Sequence, residues 1–148
     1  MTAVADSSPL VILTKLGCLD CLNRVFPRVY ISNEVHYEVV VAGAGLPGAS
    51  EVSKAEWIEV KSIQNPAGLL SAQQKYSLGP GEMSTIVLAK ELGASPVLLD
   101  DYRARKLAKA EGDMFVVGAD FCDLKTGDFE MIREYMLEYK TKKQSWQQ

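Results

Sequence analysis

Short apolar runs, each followed by a stretch with helical spacing, constrain the fold of this chain more than any other feature. "TAVA" (2–5), "RVYI" (28–31), "WIEVKSI" (57–63), "PVLLDD" (96–101) and "MFVVG" (114–118) read as strands. "PVLLDD" is of the buried type that suits a sheet covered on both faces, whereas "WIEVKSI" is a strand by its alternation. The intervening segments carry helix signals. Pro9 suits a first helical turn, with Ser7 or Ser8 as cap. Ile12, Leu13, Leu16 and Leu19 then form a stripe to about Leu22. Ser32 and Asn33 cap a short helix through "EVHYEVVV", and "QNPAGLLSAQQKYS" is a weaker helix or loop. Pro80 and Gly81 open a helix with Met83, Ile86, Val87 and Leu92 on its apolar face and Gly93 as its stop. "YRARKLAKAEG" is a basic helix ending at Gly112. Phe129, Ile132, Met136 and Tyr139 mark a C-terminal amphipathic helix. Strand–helix alternation with short links predicts an α/β class, a three-layer α/β/α sandwich around a mostly parallel sheet.

Length and composition set the frame. The 148 residues fit one domain over 1–148, with 140–148 a flexible tail, and nothing repeats. An apolar share of 47% against 24% charged is that of an ordinary globular protein. No apolar stretch approaches the roughly 20 residues of a spanning helix, and no basic segment precedes an apolar run as in a signal peptide. The expected location is the cytoplasm, without membrane contact. A net charge of −3 disfavours a protein that coats nucleic acid. It leaves open an enzyme holding divalent metal on clustered acids, because a bound cation reverses the local sign.

Several familiar sites are disfavoured. Cys18 and Cys21 form a C-x-x-C within "GCLDCL", but no second pair exists. With His36 the sole histidine, four zinc ligands are hard to assemble, so the thiols, like Cys122, read as packing residues. A single histidine likewise gives no serine–histidine–acid set. The glycine-rich "AGAGLPGAS" (42–50) lacks the lysine and hydroxyl of a phosphate-cradling loop and reads as a connection.

The acids are more informative. Asp6 follows the first strand, Glu38 lies in the helix after the second, Glu82 opens the "GEMST" helix, and Asp100 and Asp101 end a strand. Singly, each has an ordinary explanation: a cap at Asp6 or Asp101, a solvated face at Glu38, a favoured helix-start position at Glu82. In a parallel sheet, however, strand ends and following helix starts share one rim, where sites form. Converging carboxylates suit Mg²⁺ or Mn²⁺. The matching reaction is metal-assisted hydrolysis of a phosphodiester.

In order, "VADSSPLVILTKLG", "VYISNEVHYEVV", "GPGEMSTIVLAKELGASPVLLDDYRARKLAKAEG" and "VVG" resemble the PIN-domain superfamily. The chain looks most like its compact prokaryotic branch, related to the VapC-type toxin ribonucleases, over residues 3 to 118. The resemblance implies a metal-dependent ribonuclease fold with an acidic cluster. Its catalytic acids fall on Asp6, Glu38, Glu82 and Asp101, with Glu34 a nearby alternative to Glu38. Its metal ligands fall on Asp6, Glu82 and Asp101, with Asp100 second to Asp101. Ser7 supplies a hydroxyl contact to water on the metal, and Arg103 and Arg105 face the RNA substrate. Lys106 and Lys109 share their helix and read as solvated. Many PIN nucleases carry aspartate where Glu82 stands, and the hydroxyl residue often preceding the fourth acid is absent beside Leu99. Asp120 reads as a bystander.

The expected function is a Mg²⁺- or Mn²⁺-dependent endoribonuclease, the toxin of a toxin–antitoxin pair, with RNA, an antitoxin protein and a second copy of itself as partners. The alternative is a PIN-fold binding module for nucleic acid or protein with little or no catalysis. A receiver-like phosphoacceptor is disfavoured, since "WIEVKSI" and "MFVVGAD" offer neither its aspartate nor its lysine.

Overall fold

The computed structural model describes residues 2–93 and 96–111 and the backbone of 116–117. Gly112, Asp120, Cys122, the expected C-terminal helix and the tail lie outside the described residues.

Five parallel strands form one sheet in the order β3-β2-β1-β4-β5. They are β1 (Thr2–Ala5), β2 (Arg28–Ser32), β3 (Ile58–Lys61), β4 (Val97–Leu98) and β5 (Val116–Val117). Central β1 shows why the apolar runs matter: Ala3, Val4 and Ala5 are fully buried between neighbours on both sides. β3 is placed at the edge and is less covered: on one and the same face Ile58 is buried but Val60, two residues on, is 40% exposed. The chain runs outward from β1 to β3, then returns to lay β4 on the other side of β1. This reversal makes β1 and β4 the switch point of the sheet. A crevice is expected beyond their carboxyl ends.

The helices are α1 (Ser7–Lys15), α2 (Leu19–Val25), α3 (Asn33–His36), α4 (Ala49–Lys54), α5 (Pro66–Tyr76), α6 (Pro80–Leu92) and α7 (Tyr102–Ala110). Together with the sheet they make the three-layer α/β/α sandwich. Leu10, Leu13, Leu22 and Phe26 are fully buried; each such side chain stabilises the fold by about 1.5–3 kcal/mol. α6 packs against β1, β2 and β4 and against α3, α5 and α7. It therefore links the site elements.

Three local expectations are corrected and one open alternative is decided. The stripe predicted to run to Leu22 is broken at Gly17, whose φ of +71° is costly for any residue with a Cβ, so α1 and α2 are separate. The cap of α1 is Asp6, which accepts from the Ser7 N–H at 2.7 Å, rather than Ser7 or Ser8. On α6, Leu92 is 41% exposed, and Leu88 and Ala89 take the buried positions, because α6 is overlaid by several elements rather than one. The segment read as helix or loop is α5, started by Asn65, which accepts from the Gly68 N–H, and by Pro66. Cys18 and Cys21 are buried in the core, as expected of packing residues.

Candidate active site

Asp6 stands directly after β1, and its backbone N–H donates to the Leu98 carbonyl of β4 at 3.0 Å. The side chain is only 4% exposed. One oxygen caps α1, which turns Ser7 toward the neighbouring helix. The Ser7 hydroxyl donates to Glu38 Oε2 at 2.5 Å, while its oxygen lies 3.3 Å from Asp6 Oδ1. A hydroxyl has one proton, so the shorter contact holds it. Ser7 therefore couples the first acid to the second.

Glu38 lies on a π-helical turn, Tyr37–Val41, that continues α3. The wider turn displaces the register of an ordinary helix, a device frequent at functional sites. Gly43 permits it: a Cβ there would stand 2.6 Å from the Val39 carbonyl oxygen and 2.9 Å from that of Glu38. The Glu38 carboxylate rests against α6 at Gly81, where a Cβ would meet both of its oxygens at 2.6 Å. Gly81 is thus a cradle for Glu38. Glu34 lines a hollow with Asn33, Tyr37, Glu38 and Pro80, but Glu38 is the acid that takes the Ser7 hydroxyl.

A buried hydroxyl cluster holds α6 in position beneath it. Ser32, the cap of α3, accepts from the Val35 N–H, and its hydroxyl pairs with that of Ser84 at 2.7 Å. Ser84 and Thr85 both donate to the Gly81 carbonyl, at 2.9 and 2.7 Å. Ser32, Ser84 and Thr85 are fully buried. Ser32 is the cap that its position predicts, whereas the cradle at Gly81 and the partnership of Ser84 with Ser32 come only from the packing of α6. A hydroxyl three residues after a helix-start glycine was the available signal.

Glu82 begins α6, and its carboxylate accepts from the Gly79 N–H at 3.3 Å. Asp101 begins α7 and accepts from the Ala104 N–H at 3.0 Å. Asp100, half-buried beside it, offers its backbone carbonyl to the Arg105 guanidinium at 2.6 Å. Arg105 departs from the expectation of a substrate contact: it is buried and braces the turn before α7. Arg103 is exposed, and its charge reaches Glu82.

The electrostatics tie the acids together. Burial pushes the Asp6 carboxyl up to about 7; the Ser7 N–H opposes this, and the charges of Glu38 and Glu82 add to it. Glu82 is also raised, first by burial and then by Asp101, with Glu38 a smaller contributor; the Gly79 N–H and Arg103 pull the other way. Asp6 thus feels Glu38 and Glu82, while Glu82 feels Glu38 and Asp101.

Among the described residues, no three acids, histidines or cysteines already stand in a group that could hold a metal ion. The donors nevertheless fit Mg²⁺ or Mn²⁺. They are hard carboxylate oxygens that repel one another, and Mg²⁺ keeps several waters and takes only one or two protein carboxylates. The Gly81 cradle leaves Glu38 room beside them.

The model of the family DUF3368, described as a PIN domain, matches residues 2–118. A search of curated proteins found no match.

Proposed function

The chain belongs to the PIN-domain family, a nuclease-type fold, and from that premise we propose that it is a Mg²⁺- or Mn²⁺-dependent endoribonuclease cutting RNA phosphodiester bonds. PIN domains generally use divalent metal ions and act on nucleic acid. The observation that carries the finer reading is Asp6, buried at the switch point and pushed up to about 7 by burial and by two further acids.

Asp6 and Glu82, with Asp101 beside Glu82 and Asp100 next to it, are the residues to hold the cation. When bound, the ion polarises the phosphodiester and makes water a better nucleophile. Glu38 is oriented by the Ser7 hydroxyl, whose hydrogen bond it accepts, and by contact with Gly81. Arg103, exposed beside Glu82, meets a substrate phosphate. Among the described residues no helix is long and apolar enough to cross a membrane. We extend the reading to a toxin that works as a homodimer in the cytoplasm, restrained by an antitoxin segment that places a basic group among the acids.

A second reading, a binding module of the same fold, is favoured by one observation. Asp6, Glu82 and Asp101 each already spend a carboxylate oxygen on a helix-start N–H. Incubating the purified chain with single-stranded RNA and Mn²⁺ separates the two. The nuclease cleaves, stops on adding EDTA and is silenced by Asp6→Asn; wild-type protein that binds RNA but leaves it intact is the module. Growth arrest on expressing wild type but not Asp6→Ala would support the toxin role; equal growth would remove it.

A further inference from the structure

Among the described residues, hollows lie to either side of the acids at Glu38 and at Arg103, and their linings differ in charge. The one beside Glu38, about 390 Å³, carries Glu34 and Glu38 and so repels a phosphate. The other, about 290 Å³, is lined by Tyr76, Leu78, Arg103, Lys106, Leu107 and Ala110. Four of these residues share one face of α7, at spacings of three, four and seven from Arg103. The remaining wall comes from the end of α5 and the link into α6.

The lining is apolar and partly aromatic, with two cations along one side. Arg103 and Lys106 are exposed, Tyr76 and Leu107 half-buried, and Leu78 buried. The Arg103 end adjoins the acids, since the Arg103 charge acts on Glu82. A ligand matching this wall has a flat apolar ring joined to an anion. Unpaired nucleotides have that form, and proteins hold them by stacking bases on aromatic side chains and pairing phosphates with basic ones. In a chain of net charge −3, such a local pair of cations is the complement a phosphate needs.

The geometry points to this hollow as the subsite for one nucleotide of single-stranded RNA flanking the cleaved bond, its base against Tyr76, Leu78 and Leu107 and its phosphate at Arg103 and Lys106. The subsite rests on the ribonuclease reading and names which part of the substrate this side of the site grips. Tyr76 is held for this role by its hydroxyl, which donates to Glu111 at 3.3 Å, while Lys75 lies 5.0 Å from its ring centroid.

The test uses the full chain and an unstructured, fluorescently labelled oligoribonucleotide. Binding is read by anisotropy in EDTA, and cleavage with Mn²⁺. Lys106→Glu is expected to weaken binding about tenfold and to lower the salt slope by about one. Tyr76→Leu is expected to weaken it severalfold. Removing one base from the oligonucleotide at the subsite position costs wild type more than it costs Tyr76→Leu. In cleavage, both variants raise KM and spare kcat. Lys54→Glu makes the same charge change near the start of β3 and is expected to leave affinity within twofold.

If wild type cleaves but neither variant alters binding or KM, the subsite is overturned and the ribonuclease reading stands. If wild type binds the oligonucleotide through Tyr76 and Lys106 but never cleaves, the nucleotide contact at this hollow stands, and the ribonuclease reading falls together with the hollow's place beside a cleaved bond. Equal weakening by Lys54→Glu and Lys106→Glu means diffuse attraction and overturns the subsite. So does a basic or neutral peptide that competes while the oligonucleotide does not.

Discussion

Asp6 and Glu59 are carboxylates carried by the same sheet, and their surroundings drive them in opposite directions. Glu59 projects from edge strand β3 into solvent, 3.0 Å from Arg28 on β2 and 3.1 Å from Lys61 on its own strand. The Lys61 hydrogen bond, with help from Arg28, holds its carboxyl below the usual range. Asp6 is sealed at the end of β1 and faces Glu38 and Glu82, which with burial push it up to about 7. An acid that serves the surface is matched by cations. Acids matched against each other destabilise the fold, and a nucleic-acid enzyme recovers that cost when a cation binds among them.

The largest expected contrast is in activity. Asp6→Asn should lower metal-dependent RNA cleavage by about a thousandfold, the several kcal/mol a positioned cation supplies. Glu59→Gln should leave it unchanged in the same single-turnover assay. Comparable losses would dissolve the distinction between the two regions.

Next is the pH dependence of stability. The folded chain keeps the Asp6 proton to about pH 7, whereas an unfolded chain releases it near 3.8. Folding therefore takes up a proton between those values. The stability this confers is complete below about pH 4 and is lost as pH rises through about 7, roughly 4 kcal/mol at most for this one group. Urea unfolding in EDTA at pH 5 and pH 8 should show the fall in wild type and a flatter response in Asp6→Asn. Identical responses would show that Asp6 ionises normally.

Gly81→Ala sharpens the comparison from within the site. The new methyl would lie 2.6 Å from both Glu38 oxygens, and a flexible carboxylate can move away at little cost to the fold. Cleavage should drop about tenfold or more. Thermal stability should hold or rise by up to about 1 kcal/mol, since alanine is the better helix former. A variant fully active in cleavage would show that Glu38 need not rest there.

Smaller effects separate support from chemistry. Ser84→Ala leaves Ser32 without its buried partner and should cost about 1–3 kcal/mol in urea unfolding. The smallest change belongs to Glu59→Gln, whose ion pairs are solvated; its melting temperature should match wild type, and more so in high salt.

Much of the fold was legible because burial on both faces leaves a plain mark. "TAVA", "RVYI" and the apolar part of "PVLLDD" read as strands between helical stretches, and the resemblance over 3–118 agrees with the family match over 2–118. Local helix chemistry was legible at Gly93, which ends α6 with φ +59°, and at Ser32. Other features left no such mark. The π-helical turn under Glu38 is hidden in "YEVVV", because apolar spacing does not distinguish a turn of four residues from one of five. The roles of Gly81 and Ser84 depend on partners more than forty residues away. Arg105 and Arg103 lie two positions apart on a basic helix, yet one is buried against Asp100 and the other faces solvent.

By itself, the sequence determined that this chain alternates strand and helix and that its acids follow strands or open helices. Periodicity, capping and strand runs are local, and a local signal can be read one element at a time. Only the tertiary structure decided that β4 returns beside β1, that Asp6 is sealed there, and that Glu38 rests against Gly81 while it takes the Ser7 hydroxyl. Those outcomes depend on which distant elements pack together, and the charge of a carboxylate depends on that company.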